Sequence, residues 1–474
     1  MSNADAFDLI VLGAGPTGEN LADRARAGGL SVAIVERELV GGECSYWACM
    51  PSKALLRPPA ALQQARRLPG ARAAAGGELD TDAVLRRRDA FAAHWQDDGQ
   101  VAWLDSAGIT LVRGHGRLDG ERRVAVDLPE GGRRTLTARH AVALCTGTRA
   151  ALPDLPGIEQ AGVWTNREAT GAAEAPPRLA IVGGGAVAVE LATAWQALGS
   201  RVTLLVRGQA LLPKLEPFAG ELVAEALREA GVDLRFGVSV EGLTRSGELV
   251  LDLGEHGELR AEEVLFATGR RPATGELGLE TVGLEPGGWI EVDDTGLAVG
   301  VPGGWLYAAG DVNRRALLTH QGKYQGRVFG TVIADRAAGR ELDLAPWGRS
   351  VATADRVAVP QVVFTDPEVA SVGLTLAEAT ASGRRVRAVD YRIGDVAGAA
   401  LFADGYRGQA RALIDLDRET VLGVTFVGAG VAELLHSATV AVAGEVPLDR
   451  LWHAVPAYPT VSEVWLRLLE TYRG

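Results

Sequence analysis

The chain has 474 residues, 47% of them hydrophobic and 23% charged, which excludes wholesale disorder, a collagen-like repeat and a disulfide-rich secreted scaffold. At about 150 residues per domain, that length suggests about three domains. Its 48 basic and 60 acidic residues leave a net charge of −12, the wrong balance for a nucleic-acid binder, whose phosphate contacts need clustered Lys or Arg. No apolar run reaches the roughly 18 residues of a membrane span, and MSNADAFDLIVLGAG lacks a basic leader region, so a cytoplasmic protein with no membrane partner is expected.

The first element is FDLIVLGAGPTGENLADRARAGGLSVAIVER. The apolar run Leu9 to Leu12 predicts a strand that enters the turn Gly13-Ala14-Gly15-Pro16-Thr17-Gly18. A helix follows, then a second strand, Ser31 to Val35, ending at Glu36. Glycines so placed let backbone approach a pyrophosphate at a helix N-terminus, and the acid accepts from ribose hydroxyls. Gly13, Gly15, Gly18 and Glu36 therefore predict a dinucleotide site.

Next comes GGECSYWACMPSKALLRP, with Cys44 and Cys49 five positions apart and Lys53 on the helical run that follows. Cysteine occurs three times in the chain. Lysine also occurs three times, at Lys53, Lys214 and Lys323; every other basic residue is Arg, so a retained Lys points to need. In a cytoplasmic chain a close Cys pair is redox-active or metal-binding. Zinc needs about four ligands, and no other Cys or His cluster accompanies the pair, so no metal is expected. A helix N-terminus and a nearby cation favour the reactive thiolate. Further on, DTDAVLRRRDAFAAHWQD, Asp80 to Asp97, predicts a charged amphipathic helix with His94 on its surface or in packing.

Two apolar strands end in Thr-Gly: Val142 to Pro153, with Thr146-Gly147, and Val264 to Pro272, with Thr268-Gly269. Each reads as the chain crossing between nucleotide domains. Between them PRLAIVGGGAVAVELATAWQALGSRVTLLVR repeats the first pattern, with Gly183, Gly185 and Ala188 at the small-residue positions. Its second strand ends in Val206-Arg207 instead of a carboxylate. Arg pairs with a 2′-phosphate, which favours NADPH, with NADH possible; Lys214 lies nearby in sequence. Two such motifs in one chain suggest FAD plus a nicotinamide nucleotide. WLYAAGDV places Asp311 at a strand's C-terminal end. From about Val351 the pattern becomes a hairpin-rich sheet with helices at Ala429 to Gly444 and Glu463 to Glu470.

In combination these motifs resemble the pyridine nucleotide–disulfide oxidoreductase family, which includes glutathione and mycothione reductases, dihydrolipoamide dehydrogenase and mercuric reductase. The resemblance runs from Phe7 to about Glu470. It implies an α/β fold with two nested Rossmann-like nucleotide-binding domains plus a C-terminal α+β dimerisation domain. FAD would be held by 1–150 and 275–345, NAD(P)H by 151–274, and a homodimer formed by 346–474. Cys44 matches the interchange thiol, Cys49 the charge-transfer thiol, and Lys53 the lysine near flavin N5 that pairs with Glu190. The implied FAD contacts are Gly13, Gly15, Gly18, Glu36, Gly42, Lys53, the His115-Gly116 backbone, Thr146, Gly147 and Asp311. The implied NADPH contacts are Gly183, Gly185, Glu190, Arg207 and Gly269.

One segment departs from the family pattern. The family's His-Pro-Thr-x-x-Glu acid–base segment, delivered from the partner subunit, is here Tyr458-Pro459-Thr460-Val461-Ser462-Glu463. A His with pKa about 6.5 cycles protons at neutral pH, whereas a Tyr near about 10 keeps its proton. Mercuric reductases resemble the chain in this Tyr, but they also use a C-terminal Cys pair, and this chain ends LLETYRG. Ser45-Tyr46-Trp47-Ala48 is bulky and suited to narrowing the substrate face or stacking on a planar ring. Three readings follow for the small-molecule acceptor. One is a disulfide, a second is a quinone, other planar acceptor or metal ion, and a third makes the chain a lipoamide-type subunit or redox sensor acting by partner binding.

Overall fold

The run Leu9-Ile10-Val11-Leu12 is buried on both faces of its strand, the pattern of a parallel strand covered on two sides. The computed structural model describes residues 5–474 and places this strand, β1 (Ala6–Leu12), in the first of two structural units. Unit 1 comprises residues 1–50, 89–150 and 270–356; unit 2 comprises residues 51–88, 151–269 and 357–474. After β1, α1 (Pro16–Ala27) starts on a proline whose fixed φ suits a first helical turn. β2 (Val32–Glu36) then returns parallel to β1. α2 (Gly42–Tyr46) and α3 (Cys49–Arg66) follow.

The charged segment after residue 80 forms a shorter helix than its sequence predicts. α4 (Thr81–Phe91) stops before His94, and Ala93, His94 and Trp95 take left-handed backbone angles, φ 47°, 52° and 56°. The cause is tertiary. The Trp95 indole N–H donates to the Tyr46 carbonyl at 3.1 Å, and the Asp97 carboxylate accepts from the Val40 N–H at 2.7 Å and from Arg113. An uninterrupted helix would aim these groups elsewhere. His94 is exposed.

The strands β3 (Thr110–Arg113), β4 (His115–Leu118), β5 (Arg123–Asp127), β6 (Arg133–Leu144) and β7 (Thr148–Ala150) complete this stretch. In unit 2 the βαβ pattern recurs as β8 (Arg178–Val182), α5 (Ala186–Ala197) and β9 (Arg201–Val206), joined by β10 (Asp233–Phe236) and β11 (Glu263–Phe266). The sheet order is β10-β9-β8-β11, all parallel. Trp195 of α5 is fully buried in the core beneath it.

Back in unit 1, β12 (Arg270–Pro272) pairs antiparallel with β7, and β13 (Leu306–Ala308) pairs parallel with β6. The seven-stranded sheet runs β3-β2-β1-β6-β5-β4, with β13 beside β6. α6 (Thr319–Ala337) lies on α1 in a crossing that only glycine permits. A Cβ at Gly326 would stand 2.7 Å from the Thr17 carbonyl oxygen, and one at Gly330 2.5 Å from that of Leu21.

Unit 2 also carries a five-stranded antiparallel sheet of β14 (Gln361–Val363), β15 (Glu368–Gly373), β16 (Val386–Arg392), β17 (Gln409–Asp415) and β18 (Thr420–Gly428), ordered β14-β15-β18-β17-β16. α7 (Val431–Ala443) and α8 (Val464–Arg473) share its core. Two Rossmann-like sheets and a C-terminal α+β part are the expected architecture. No helix among the described residues is long and apolar enough to cross a membrane.

Gly398 seats the segment that carries Tyr458 to Glu463. A Cβ there would stand 2.0 Å from the carbonyl carbon of Thr460. Gly398→Ala is therefore expected to lower stability by about 1–3 kcal/mol, read from chemical denaturation; an unchanged midpoint would contradict this packing.

Candidate active site

In unit 1 the first glycine turn is closed by backbone alone. Gly13, at φ +100°, would place a Cβ 2.5 Å from the Cys145 carbonyl oxygen, and a Cβ on Gly18 would stand 2.0 Å from the Gly13 carbonyl oxygen. These are the tight turn and the close helix–strand packing that the motif serves. Gly42, at φ +59°, brings its own backbone against Gly15, where a Cβ would meet the Gly15 Cα at 2.8 Å. Glu36 accepts from the Ala14 N–H at 2.8 Å and the Glu38 N–H at 2.7 Å. Burial pushes its carboxyl above the usual range, with those two bonds opposing.

Around this turn lies a cavity of about 380 Å³, lined by Gly13, Glu36, His115, Gly116 and Thr146 among others. Gly116 is closely packed there, where a Cβ would stand 2.8 Å from a Leu12 side-chain methyl. Burial, then the Arg37 charge, lowers the His115 pKa and keeps its ring neutral. The Thr146 hydroxyl is buried without a partner, so a polar group is owed to it. A backbone-lined turn, a carboxylate, a neutral ring and an unpartnered hydroxyl fit the adenosine half of FAD.

The two thiols stand together. Cys44 and Cys49 are both half-buried. The Cys44 S–H is hydrogen-bonded to Cys49. That bond first, then burial, holds the Cys44 thiol above the ordinary range, while the Thr319 hydroxyl and the Lys323 charge pull it down. Thr319, first residue of α6, shares a hydrogen bond with the Cys49 sulfur at 3.2 Å. Cys49 opens the 18-residue α3, a position that favours a thiolate. The neighbouring Glu43 is gripped by Arg270 at 2.7 Å; Arg270 also donates to the Thr148 hydroxyl at 2.6 Å, which donates on to Asp311 at 2.7 Å. Burial pushes the Asp311 carboxyl up against these partners. Gly147, at φ +67°, precedes this junction.

Tyr46 corrects one expectation. It is 2% exposed and its hydroxyl donates to the Val40 carbonyl at 2.9 Å, so it belongs to the core and lines no substrate face. Trp47 is half-buried beside it.

In unit 2, Gly183 at φ +142° would place a Cβ 2.5 Å from the Ala267 carbonyl oxygen, while the space about Gly185 and Gly269 is open. Gly185 caps α5, leaving helix N–H groups for a phosphate. Arg207, just beyond β9, and Lys214 are exposed. Lys53 donates to Glu190 at 2.7 Å. Glu190 is buried and also accepts from the Phe364 N–H at 2.9 Å, and the Lys53 ammonium stands 5.1 Å from the centre of the Phe364 ring. Tyr458 is 76% exposed, whereas Glu463 is buried and accepts from the Gly398 N–H at 3.4 Å. Among the described residues no cluster of three or more His, Cys, Asp or Glu is placed to hold a metal.

Sequence reasoning missed Thr319, Arg270 and Phe364. Only Arg270 carried a signal, standing immediately after the second Thr-Gly. Glu190→Ala would leave the Phe364 N–H unsatisfied and Lys53 without its counter-charge. The expected loss is about 1–3 kcal/mol in chemical denaturation, and no loss would contradict the shared-acceptor geometry.

The family model described as pyridine nucleotide-disulphide oxidoreductase matches residues 7–326, and that of the family's dimerisation domain matches residues 359–468. Dihydrolipoyl dehydrogenase 3 of Pseudomonas aeruginosa is 33% identical over 473 residues, covering 97% of this chain and 96% of its own. A mercuric reductase of Acidithiobacillus ferrooxidans is 32% identical over 468 residues, covering 98% of this chain and 82% of its own. Among solved structures, the HOCl-induced flavoprotein disulfide reductase RclA of Escherichia coli shares the fold, with a TM-score of 0.82 at 24% identity over 98% of this chain and 99% of its own.

Proposed function

The chain belongs to the pyridine nucleotide-disulphide oxidoreductase family, a family of enzymes using FAD and a pyridine nucleotide, and we propose that it passes electrons from NADPH through FAD and the Cys44–Cys49 pair to a disulfide. The observation that carries this reading is the thiol pair itself, with Cys49 at the start of α3 and sharing a hydrogen bond with Thr319 at the start of α6.

Bound FAD supplies two-electron transfer between nicotinamide and the protein disulfide. The Cys44 thiolate attacks one sulfur of the acceptor disulfide and the other sulfur leaves as a thiolate. Cys49 then attacks the Cys44 sulfur, releases the second acceptor thiolate and restores the Cys44–Cys49 disulfide. Two electrons have left the pair for the acceptor. Lys53, held by Glu190 at 2.7 Å, would supply its ammonium to the bound cofactors. Gly13, Gly15, Gly18, Glu36, Gly42, His115, Gly116, Thr146, Gly147 and Asp311 would hold FAD. Gly183, Gly185 and Gly269 would admit the nicotinamide nucleotide, and Arg207 would pair with a 2′-phosphate.

A homodimer completes the site, with the partner supplying a second Tyr458 and Glu463. The dimerisation-domain match over 359–468 and the outward-facing Tyr458 support this. A Tyr hydroxyl, standing where the family pattern has His, donates a hydrogen bond to a leaving thiolate. That favours a second acceptor class, a quinone or a metal ion, which makes less demand on a base. The likeness to a mercuric reductase supports the metal ion.

Cys49→Ser is expected to abolish disulfide turnover while dye reduction by NADPH continues with FAD bound. Loss of dye reduction with FAD retained would contradict the role given to Cys49. Arg207→Glu is expected to shift kcat/KM toward NADH by roughly 10- to 100-fold, the value of a charge-assisted contact to phosphate. An unchanged preference would remove the 2′-phosphate role.

A further inference from the structure

Two groups take no part in the chemistry above, Lys323, which acts on Cys44, and Glu19, on which Lys323 also acts. Lys323, one of three lysines in the chain, lies one turn beyond Thr319 on α6. Thr319 bonds the Cys49 sulfur at 3.2 Å, so the spacing sets the Lys323 side chain on the same helix face as the thiol contact. Its ammonium acts electrostatically on Cys44 and on Glu19 alike. Glu19, on α1, is 9% exposed, and its Oε1 has no hydrogen-bond partner. An unpartnered buried carboxyl is costly, and it is retained here next to a lysine in a chain that otherwise uses Arg.

We propose that Lys323 is a positioning residue of the thiol pair, holding negative charge on the reduced Cys44 and Cys49, and that Glu19 is the buried carboxyl that sets how much of the Lys323 charge the pair receives. For turnover this rests on the redox role given to the pair above; the thiols' own acidity does not.

The groups of the cluster come from five elements, α1, α2, α3, α6 and β2. Cys49, Thr319 and Lys323 act on Cys44. Lys323 from α6 and Glu36 from β2 act on Glu19, and Glu19 acts in turn on Tyr46 of α2. Burial raises the Glu19 pKa to about 7, Lys323 opposing it and Glu36 adding to it. Below about 7 the carboxyl is neutral and the full Lys323 charge favours a thiolate. Above it, the Glu19 carboxylate offsets that charge. Thiolate formation is therefore spread over a wider pH range than a single proton gives. Lys323 is itself exposed, so added salt weakens its effect.

The test uses the FAD-loaded protein, reduced with a phosphine and alkylated with iodoacetamide across pH, with Cys44 labelling quantified by peptide mass spectrometry. Lys323→Met is expected to slow Cys44 alkylation at neutral pH by about five- to tenfold, up to about one unit in the midpoint. Lys323→Gln should give the same shift, and Lys323→Arg should keep the wild-type profile. Glu19→Gln is expected to speed alkylation above pH 7 by about two- to fivefold, and to have no such effect in the Lys323→Met background. A Lys323→Met or Lys323→Gln profile that superimposes on wild type overturns the proposal, as does a Glu19→Gln effect of equal size in both backgrounds. The reductant here is a phosphine, so a pair that fails to take electrons from NADPH would sink the redox reading and leave these shifts intact.

Discussion

A single backbone contact, made twice, sets both nucleotide turns. The Cβ that Gly13 lacks would meet the carbonyl oxygen of Cys145 at 2.5 Å, and the one Gly183 lacks would meet that of Ala267 at 2.5 Å. Cys145 precedes Thr146-Gly147, and Ala267 precedes Thr268-Gly269. In each unit the first glycine of the turn is thus pressed against the residue where a neighbouring strand ends in Thr-Gly. No side chain fits between them, so turn and crossing are locked in register by sterics. Each crossing then leads into a short strand, and the two strands, Thr148–Ala150 and Arg270–Pro272, pair with each other.

The thiol pair depends on this frame. Glu43, adjacent to Cys44, is held by Arg270 of the returning crossing strand, and Arg270 reaches Asp311 through Thr148. The loop that carries the cysteines is therefore tied to the same crossing that positions the first nucleotide turn. The start of α6 closes the arrangement through Thr319. The sulfur chemistry sits on three anchored elements of unit 1, and the Lys53–Glu190 pair is fixed separately within unit 2 by the Phe364 backbone.

Much of this was legible in the sequence, because glycine turns, strand-ending acids and a close Cys pair are local signals. Gly13, Gly18 and Gly183 stand where only backbone fits, as their spacing implied. What escaped was set by tertiary contact. The helix expected over 80–97 breaks because Trp95 and Asp97 bond to Tyr46 and Val40, partners about fifty residues away in sequence. Tyr46 looked like a substrate-facing aromatic, yet its neighbours bury it. Thr319 and Phe364 act from a helix terminus and a backbone N–H, neither of which a residue pattern marks. Glu19 falls within the first motif, and nothing in its type or position signals an unpartnered carboxyl.

The central claim is that electrons pass from NADPH into the Cys44–Cys49 disulfide beside FAD. Anaerobic titration of the oxidised, FAD-loaded protein with NADPH tests it most directly, with visible absorbance followed and new thiols counted by labelling. The account predicts that the first equivalent generates thiols at Cys44 and Cys49 and a long-wavelength thiolate–flavin absorbance, before the main flavin absorbance is lost. Bleaching of the flavin with the first equivalent, with no new thiol at either cysteine, would contradict it.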